Sequence, residues 1–253
     1  MGLKRVLVAS DDSPPSEHAF CMGKQLALHA GAALAVVRVR EPGARPDPDS
    51  PGSPCEVDLP AQSFRREGVA GIEIARCAEQ WNADVLLLGR RATSGFGRTT
   101  DMVLRRRQGP TLVVPRSVTG FARVLYALDG SERGLRILDG DGHFAVVAGA
   151  TPMAVCVLPP EQQYATLDPR WPHPRRARVE SAMEQRPNLG GRAALTVRWG
   201  DPVPEVLRHL EETAADLLVL GLRQGGPGGD PGSGHVARDL LGAAPVAILT
   251  VPI

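Results

Sequence analysis

Short uninterrupted apolar runs alternate along the chain with longer stretches whose apolar positions recur every three or four residues. The runs RVLVAS (5–10), ALAVVRV (33–39), ADVLLLG (83–89) and TLVVP (111–115) predict strands buried on both faces. Between them, residues 16–30, 71–82 and 99–107 predict helices, the first with Ser16 as its N-cap. The second of these places Ile74, Cys77, Ala78 and Trp81 on one face, at the spacing i, i+3, i+4, i+7. Further along, VLYAL (124–128), ALTVRW (194–199), ADLLVLG (215–221) and ILTVP (248–252) predict strands. Asp201 as N-cap and Pro202 at the first helical position start a helix whose apolar stripe is Val203, Val206, Leu207 and Leu210. Residues 131–148 occupy a helix position but contain DGDGH (139–143), so a short or broken helix is expected there. The DGDG also resembles the start of a calcium loop, but the remaining ligands are absent.

The pattern occurs twice. VLVASDDS (6–13) matches VLYALDGS (124–131), NADVLLLG (82–89) matches AADLLVLG (214–221), and PTLVVP (110–115) matches ILTVP (248–252). Two copies of one domain are expected, residues 1–118 and 119–253. Asp11 and Asp129 lie 118 residues apart, as do Val39 and Val157. Asp84 and Asp216 lie 132 apart, so the second copy gains 14 residues in its middle. Pro115 and Pro252 lie 137 apart, a further gain of 5 after the LLLG/LVLG strand. Alternating strands and helices with apolar strands predict an α/β fold: two tandem open five-stranded parallel sheets with helices on both faces. Ligands of such sheets bind beyond the strands' carboxyl ends, where strand order reverses. Asp11-Asp12-Ser13, Asp129-Gly130-Ser131, Gly89 and Gly221 are the residues at those ends.

Composition narrows the function. Only 4% of the 253 residues are aromatic, so the core is built from Leu, Val, Ala and Ile. The net charge of +1 excludes a broad nucleic-acid-binding field, and the basic runs Arg105-Arg106-Arg107 and Arg175-Arg176-Ala177-Arg178 read as solvated surface. Cys21, Cys55, Cys77 and Cys156 show no CxxC spacing, which reads as reduced thiols in a cytoplasmic protein. No apolar run approaches the length of a membrane span, and the start shows no leader-like apolar segment.

VLYALDGSE (124–132), ADLLVLG (215–221) and GHVARDLLGAAPVAILTVP (234–252) together resemble the universal stress protein family in its tandem two-domain form. The resemblance implies an adenine nucleotide alpha hydrolase-like, Rossmann-like fold. Many members bind ATP through G-x2-G-x9-G-[S/T] after the fourth strand. In the second copy Gly221 is followed at the motif's spacing by Gln224, with Gly225 beside it, and then by Gly234 and His235. A triphosphate needs several backbone N–H groups at close range, which a Cβ would obstruct. A helix opening near Gly234 adds its N–H groups and positive dipole end. The first copy has only four residues between its motif position and Gly97, and Arg98 stands where Ser/Thr is wanted. This predicts a degenerate first site, at which Arg90, Arg91 and Arg98 are candidates for holding a smaller anion.

By resemblance, Asp129 meets the nucleoside end, Val157 offers backbone bonds to adenine, and Gly221, Gly225 and Gly234 hold phosphates, with Mg2+ accompanying the ATP. Gly130, Ser131 and Val236 are further candidate cofactor-binding residues, as is His235, which when protonated donates to a phosphate but lacks the compact hydroxyl the motif expects. The leading reading is a nucleotide-sensing stress protein with ATP in domain 2. The alternative is a tandem member that binds no nucleotide and works as an interaction or scaffold module for a protein partner. An enzyme, at most a slow ATPase, is the weakest reading, because no G-x4-GK-[ST], G-x-S-x-G or HExxH sequence occurs. His209 and the carboxylates of its helix, Glu211 and Glu212, read as surface groups. The last strands TLVVP and AILTVP suggest intramolecular pairing of the domains, with homodimers of that unit also compatible.

Overall fold

The computed structural model describes residues 2–42, 61–91, 97–139, 149–158, 174–186, 194–223 and 235–253. The chain divides into two compact units, Met1–Gly120 with Pro245–Leu249, and Phe121–Ala244 with Thr250–Ile253. The first contains β1 (Arg5–Ala9), α1 (Pro14–Ala30), β2 (Ala33–Arg40), β3 (Ala61–Glu67), α2 (Ala70–Gln80), β4 (Val85–Arg90), α3 (Arg98–Arg106) and β5 (Thr111–Pro115). Its strands lie in the order β3-β2-β1-β4-β5. Next come β6 (Arg123–Leu128), a 3-10 turn (Gly134–Arg136), β7 (Thr151–Leu158), α4 (Pro174–Glu184) and β8 (Ala194–Trp199). After them follow α5 (Pro202–Thr213), β9 (Leu217–Leu222), α6 (His235–Ala243) and β10 (Ala247–Pro252). The second order is β10-β9-β6-β7-β8. The fold is mixed α/β and its registered strand pairs are parallel. Ten strands are described, and the expectation of five belonging wholly to each domain is corrected at the last one. Within β10, Ala247–Leu249 count with the first unit and Thr250–Pro252 with the second.

The apolar runs form the core because parallel strands are covered on both faces. Leu7, Leu86, Leu87 and Leu112 in the first unit, and Leu125, Tyr126, Leu217 and Leu218 in the second, are fully buried. The repeated Asp of NADV and AADL is a structural clamp. Asp84 Oδ2 accepts the backbone N–H groups of Lys4 and Arg5 at 2.7 and 2.8 Å. Asp216 accepts those of Ala122 and Arg123 at 2.8 and 3.2 Å. Arg5 and Arg123 complete the clamps by donating to the carbonyls of Trp81 and Thr213.

Several expectations change. The cap of α1 is Ser13, and Ser16 lies buried inside the helix, donating to the Ser13 carbonyl at 2.9 Å. Strand β3 was not evident in the apolar pattern. The helix expected in 131–148 opens as a 3-10 turn, while 140–148 lie outside the described residues. Asp139 of the DGDG sequence accepts from Arg186 Nε at 2.9 Å. Arg107 is buried, donating to the carbonyls of Ala83 and Pro110 at 2.7 and 3.1 Å. On α5, Val206, His209 and Leu210 are buried while Val203 and Leu207 are only half-buried. His209 is therefore not a surface group. No helix among the described residues is long and apolar enough to cross a membrane.

Candidate functional site

In the second unit β6 connects to β7 on one side and neighbours β9 on the other, so strand order reverses between β6 and β9. The turn after β6 is tightly organised. Gly130 has φ +68°, a conformation that favours glycine. Asp129 Oδ1 accepts from the Ser131 amide at 2.9 Å and its hydroxyl at 2.7 Å. Ser131 Oγ in turn accepts from the Gly134 amide at 2.9 Å. One oxygen of Asp129 thus serves the turn, as Asx residues commonly do. The other, Oδ2, lies 4.0 Å from Arg223 Nη2, the first side chain beyond β9, across the reversal point.

Val157 is 8% exposed near the end of β7, one residue past Cys156, which is in register with Leu128. Gly221 lies inside β9 rather than after it. A Cβ there would stand 2.7 Å from Ile253 Cδ1 and 3.3 Å from Ile137 Cγ2. Two isoleucine side-chain ends therefore crowd this position, and packing favours a small residue there independently of any phosphate. Gly225 and Gly234 lie outside the described residues; His235 and Val236 open α6. Asp129, Gly130, Ser131, Val157 and Gly221 are gathered at the carboxyl edge of one sheet.

Two arginines that the sequence reading placed in a solvated run also reach this turn. A Cβ on Gly130 would meet Arg175 Cβ at 2.6 Å, so the first turn of α4 closes on the turn as far as a glycine permits. Arg178 Nη1 donates to the Gly130 carbonyl at 2.9 Å. The Cys156 thiol senses the same neighbourhood. Burial, and then the Asp129 charge, push its pKa up to about 11, with Arg175 opposing. The PRRAR sequence carried only charge as a signal, and nothing in its local pattern distinguishes it from solvent-facing helix.

The equivalent turn of the first unit is closed by its own side chains. Asp12, at the position of Gly130, adopts φ +57°. Its Oδ1 accepts from Arg38 Nε at 3.0 Å and from Ser10 Oγ at 3.3 Å. Asp11 Oδ1 accepts from the Ser13 hydroxyl and amide at 2.5 and 3.2 Å. Burial raises the Asp11 pKa, but these bonds and Ser16 outweigh it and hold the carboxyl below its ordinary range. Gly89 sits against backbone: a Cβ would fall 2.3 Å from the Pro15 carbonyl oxygen. Arg90 is half-buried at the end of β4, while Arg91 and Arg98 are exposed. Among the described residues, no group of three or more His, Cys, Asp or Glu is placed to hold a metal ion.

Comparisons with known proteins agree with this architecture. A universal stress protein from Archaeoglobus fulgidus is 19% identical, with a TM-score of 0.72 and 98% of each chain covered. A functionally unknown protein from Pseudomonas aeruginosa is 14% identical, with a TM-score of 0.73, covering 99% of this chain and 92% of its own. At these identities the likeness is one of fold. A search of curated proteins gave no match. The profile of the universal stress protein family matches residues 2–63 and 120–252, most of the sequence, and the chain belongs to that family.

Proposed function

We propose that the protein is a stress-response regulator whose second unit binds an adenine nucleotide at the carboxyl edge of β6, β7 and β9. One observation carries the reading: Asp129, Gly130, Ser131, Val157, Gly221 and Arg223 meet where strand order reverses, which is where open parallel sheets bind ligands. Asp129 Oδ2 would meet the ribose and the backbone near Val157 the base. Arg223, with the amides opening α6, would meet phosphate. Mg2+ would arrive on the phosphates, since Mg2+ commonly keeps its waters and takes few protein ligands. The first unit would not share this role, because the Arg38–Asp12 pair already occupies its turn.

A second reading has its own support. Gly221, the glycine opening the phosphate motif, is crowded by Ile253 and Ile137, so a small residue there has a packing reason apart from phosphate. A tandem member that binds no nucleotide and acts through a protein partner fits that observation.

Calorimetry of the full chain with Mg·ATP separates the two. Saturable heat at one site per chain, lost in Asp129→Ala and in Arg223→Ala but kept in Asp12→Ala, is expected. No heat from the native chain would select the interaction reading.

A further inference from the structure

Each unit ties its edge strand to the following helix with an arginine, and the two ties use different chemistry. In the first unit Arg66 of β3 donates from Nη2 to Gln80 Oε1 at 2.8 Å, and Arg76 donates to Glu73 at 2.5 Å. Adding 132 residues gives Arg198, Glu212, Arg208 and Glu205. Arg198 of β8 donates from Nη1 to Glu205 at 3.2 Å and from Nη2 to Glu212, and Arg208 donates to Glu205 at 2.5 Å. Cys77 becomes His209, whose Nδ1 lies 3.3 Å from Arg198 Nη2 and 3.8 Å from Glu212 Oε2.

We propose that this substitution makes the β8 edge pH-responsive: as the solution acidifies through the imidazole range, β8 loosens from α5 while β3 stays fixed. Neutral His209 accepts from Arg198 at Nδ1, with its own proton on Nε2. A second proton at Nδ1 abolishes that acceptor and sets two cations face to face. The imidazolium then competes for Glu212, the carboxylate that Arg198 also uses. Arg198 Nε is buried with no hydrogen-bond partner among the described residues, so the guanidinium falls back on Glu205. Glu205 is already shared with Arg208.

The charged groups around His209 are Arg198 from β8 and Glu205, Arg208 and Glu212 from α5. The α6 helix, packed against α5, carries His235, Arg238 and Asp239. Cys156, the one ionisable residue of β7, remains neutral, its thiol held at about 11. Burial, then the Arg198 charge, hold the His209 imidazole below its ordinary 6.5, against Glu212. A lowered folded-state pKa means the contribution is whole above the unfolded value and is lost as pH falls below it. In the first unit Gln80 does not titrate, and burial pushes the Cys77 thiol up, away from this range.

The test is hydrogen exchange of the full chain at about pH 7.5 and about pH 5, with rates corrected for intrinsic exchange. Protection of 194–199 should fall on acidification, by about tenfold for each pH unit that the fold lowers the imidazole pKa. Protection of 61–67 should stay constant. His209→Cys with Glu212→Gln, which installs the first unit's residues, should erase the response, as should His209→Gln alone. An equal fall in both strands, a constant 194–199, or a fall that survives both variants overturns the proposal.

Discussion

Asn82 and Ala214 end α2 and α5 at equivalent positions, and both hold a left-handed backbone, with φ of 52° and 47°. The hydrogen bonds are the same in each. The Asn82 and Ala83 amides reach the carbonyls of Glu79 and Ala78, and the Ala214 and Ala215 amides reach those of Glu211 and Leu210. The side chains differ in what this conformation costs. An L-residue in the left-handed region loses about 1–2 kcal/mol, and Asn tolerates it better than Ala. Both positions are exposed, so a substitution changes backbone preference with little change in packing. Ala214→Asn should therefore stabilise the second unit by about 0.5–1 kcal/mol. Ala214→Gly relieves the same strain but returns roughly 0.4–1 kcal/mol through the freer unfolded chain, so it should gain less. With a urea dependence of about 1–3 kcal/mol per molar, a gain of about 1 kcal/mol moves the midpoint up by roughly 0.3–1 M. Asn82→Ala should move the first unit's midpoint down by a similar amount. Circular dichroism during urea unfolding reads all three. Unchanged or lowered midpoints for both Ala214 variants would refute the assignment of strain to this residue.

The two strand glycines should respond differently to the same change. Gly89→Ala drives a methyl into the fixed Pro15 backbone and should cost about 3 kcal/mol or more, whereas Gly221→Ala meets movable isoleucine ends and should cost nearer to about 1 kcal/mol, by thermal or urea melts. Arg107→Ala removes two charge-assisted bonds to buried carbonyls and should cost about 2–4 kcal/mol, while Arg105→Ala, which loses only an exposed pair with Asp101, should stay within about 0.5 kcal/mol. Asp11 has a folded-state pKa below its ordinary 3.8, so its contribution is present above that pH and lost as acidification proceeds below it. Asp11→Asn should flatten the acid limb of the first unit's stability profile, and a limb of unchanged slope would count against those Ser13 and Ser16 bonds.

The central strands were legible because burial on both faces leaves an unbroken apolar run. Strand β3, AQSFRRE, gave no such signal. It is an edge strand in register with β2 from Leu34↔Ala61 to Arg40↔Glu67, and mostly solvent-facing, so polar residues suit it. The internal repeat held the clue, since 132 residues on lies VRW of β8. At the candidate site, the Asp-Gly-Ser turn was readable from its own chemistry. Arg175, Arg178 and Arg223 were not, because their place depends on how α4 and β9 pack against that turn. The same limit applies to Arg107 and His209. Local composition marks them as surface, and only the carbonyls and the arginine of neighbouring elements explain why they point inward.

The chain order of the strands bears on how the protein is made. The strands β1 to β5 all lie within residues 5–115, so a ribosome that has passed residue 120 has delivered the whole β3-β2-β1-β4-β5 order before any of β6 to β10 exists. Pairing of these strands therefore does not wait for translation of the second half.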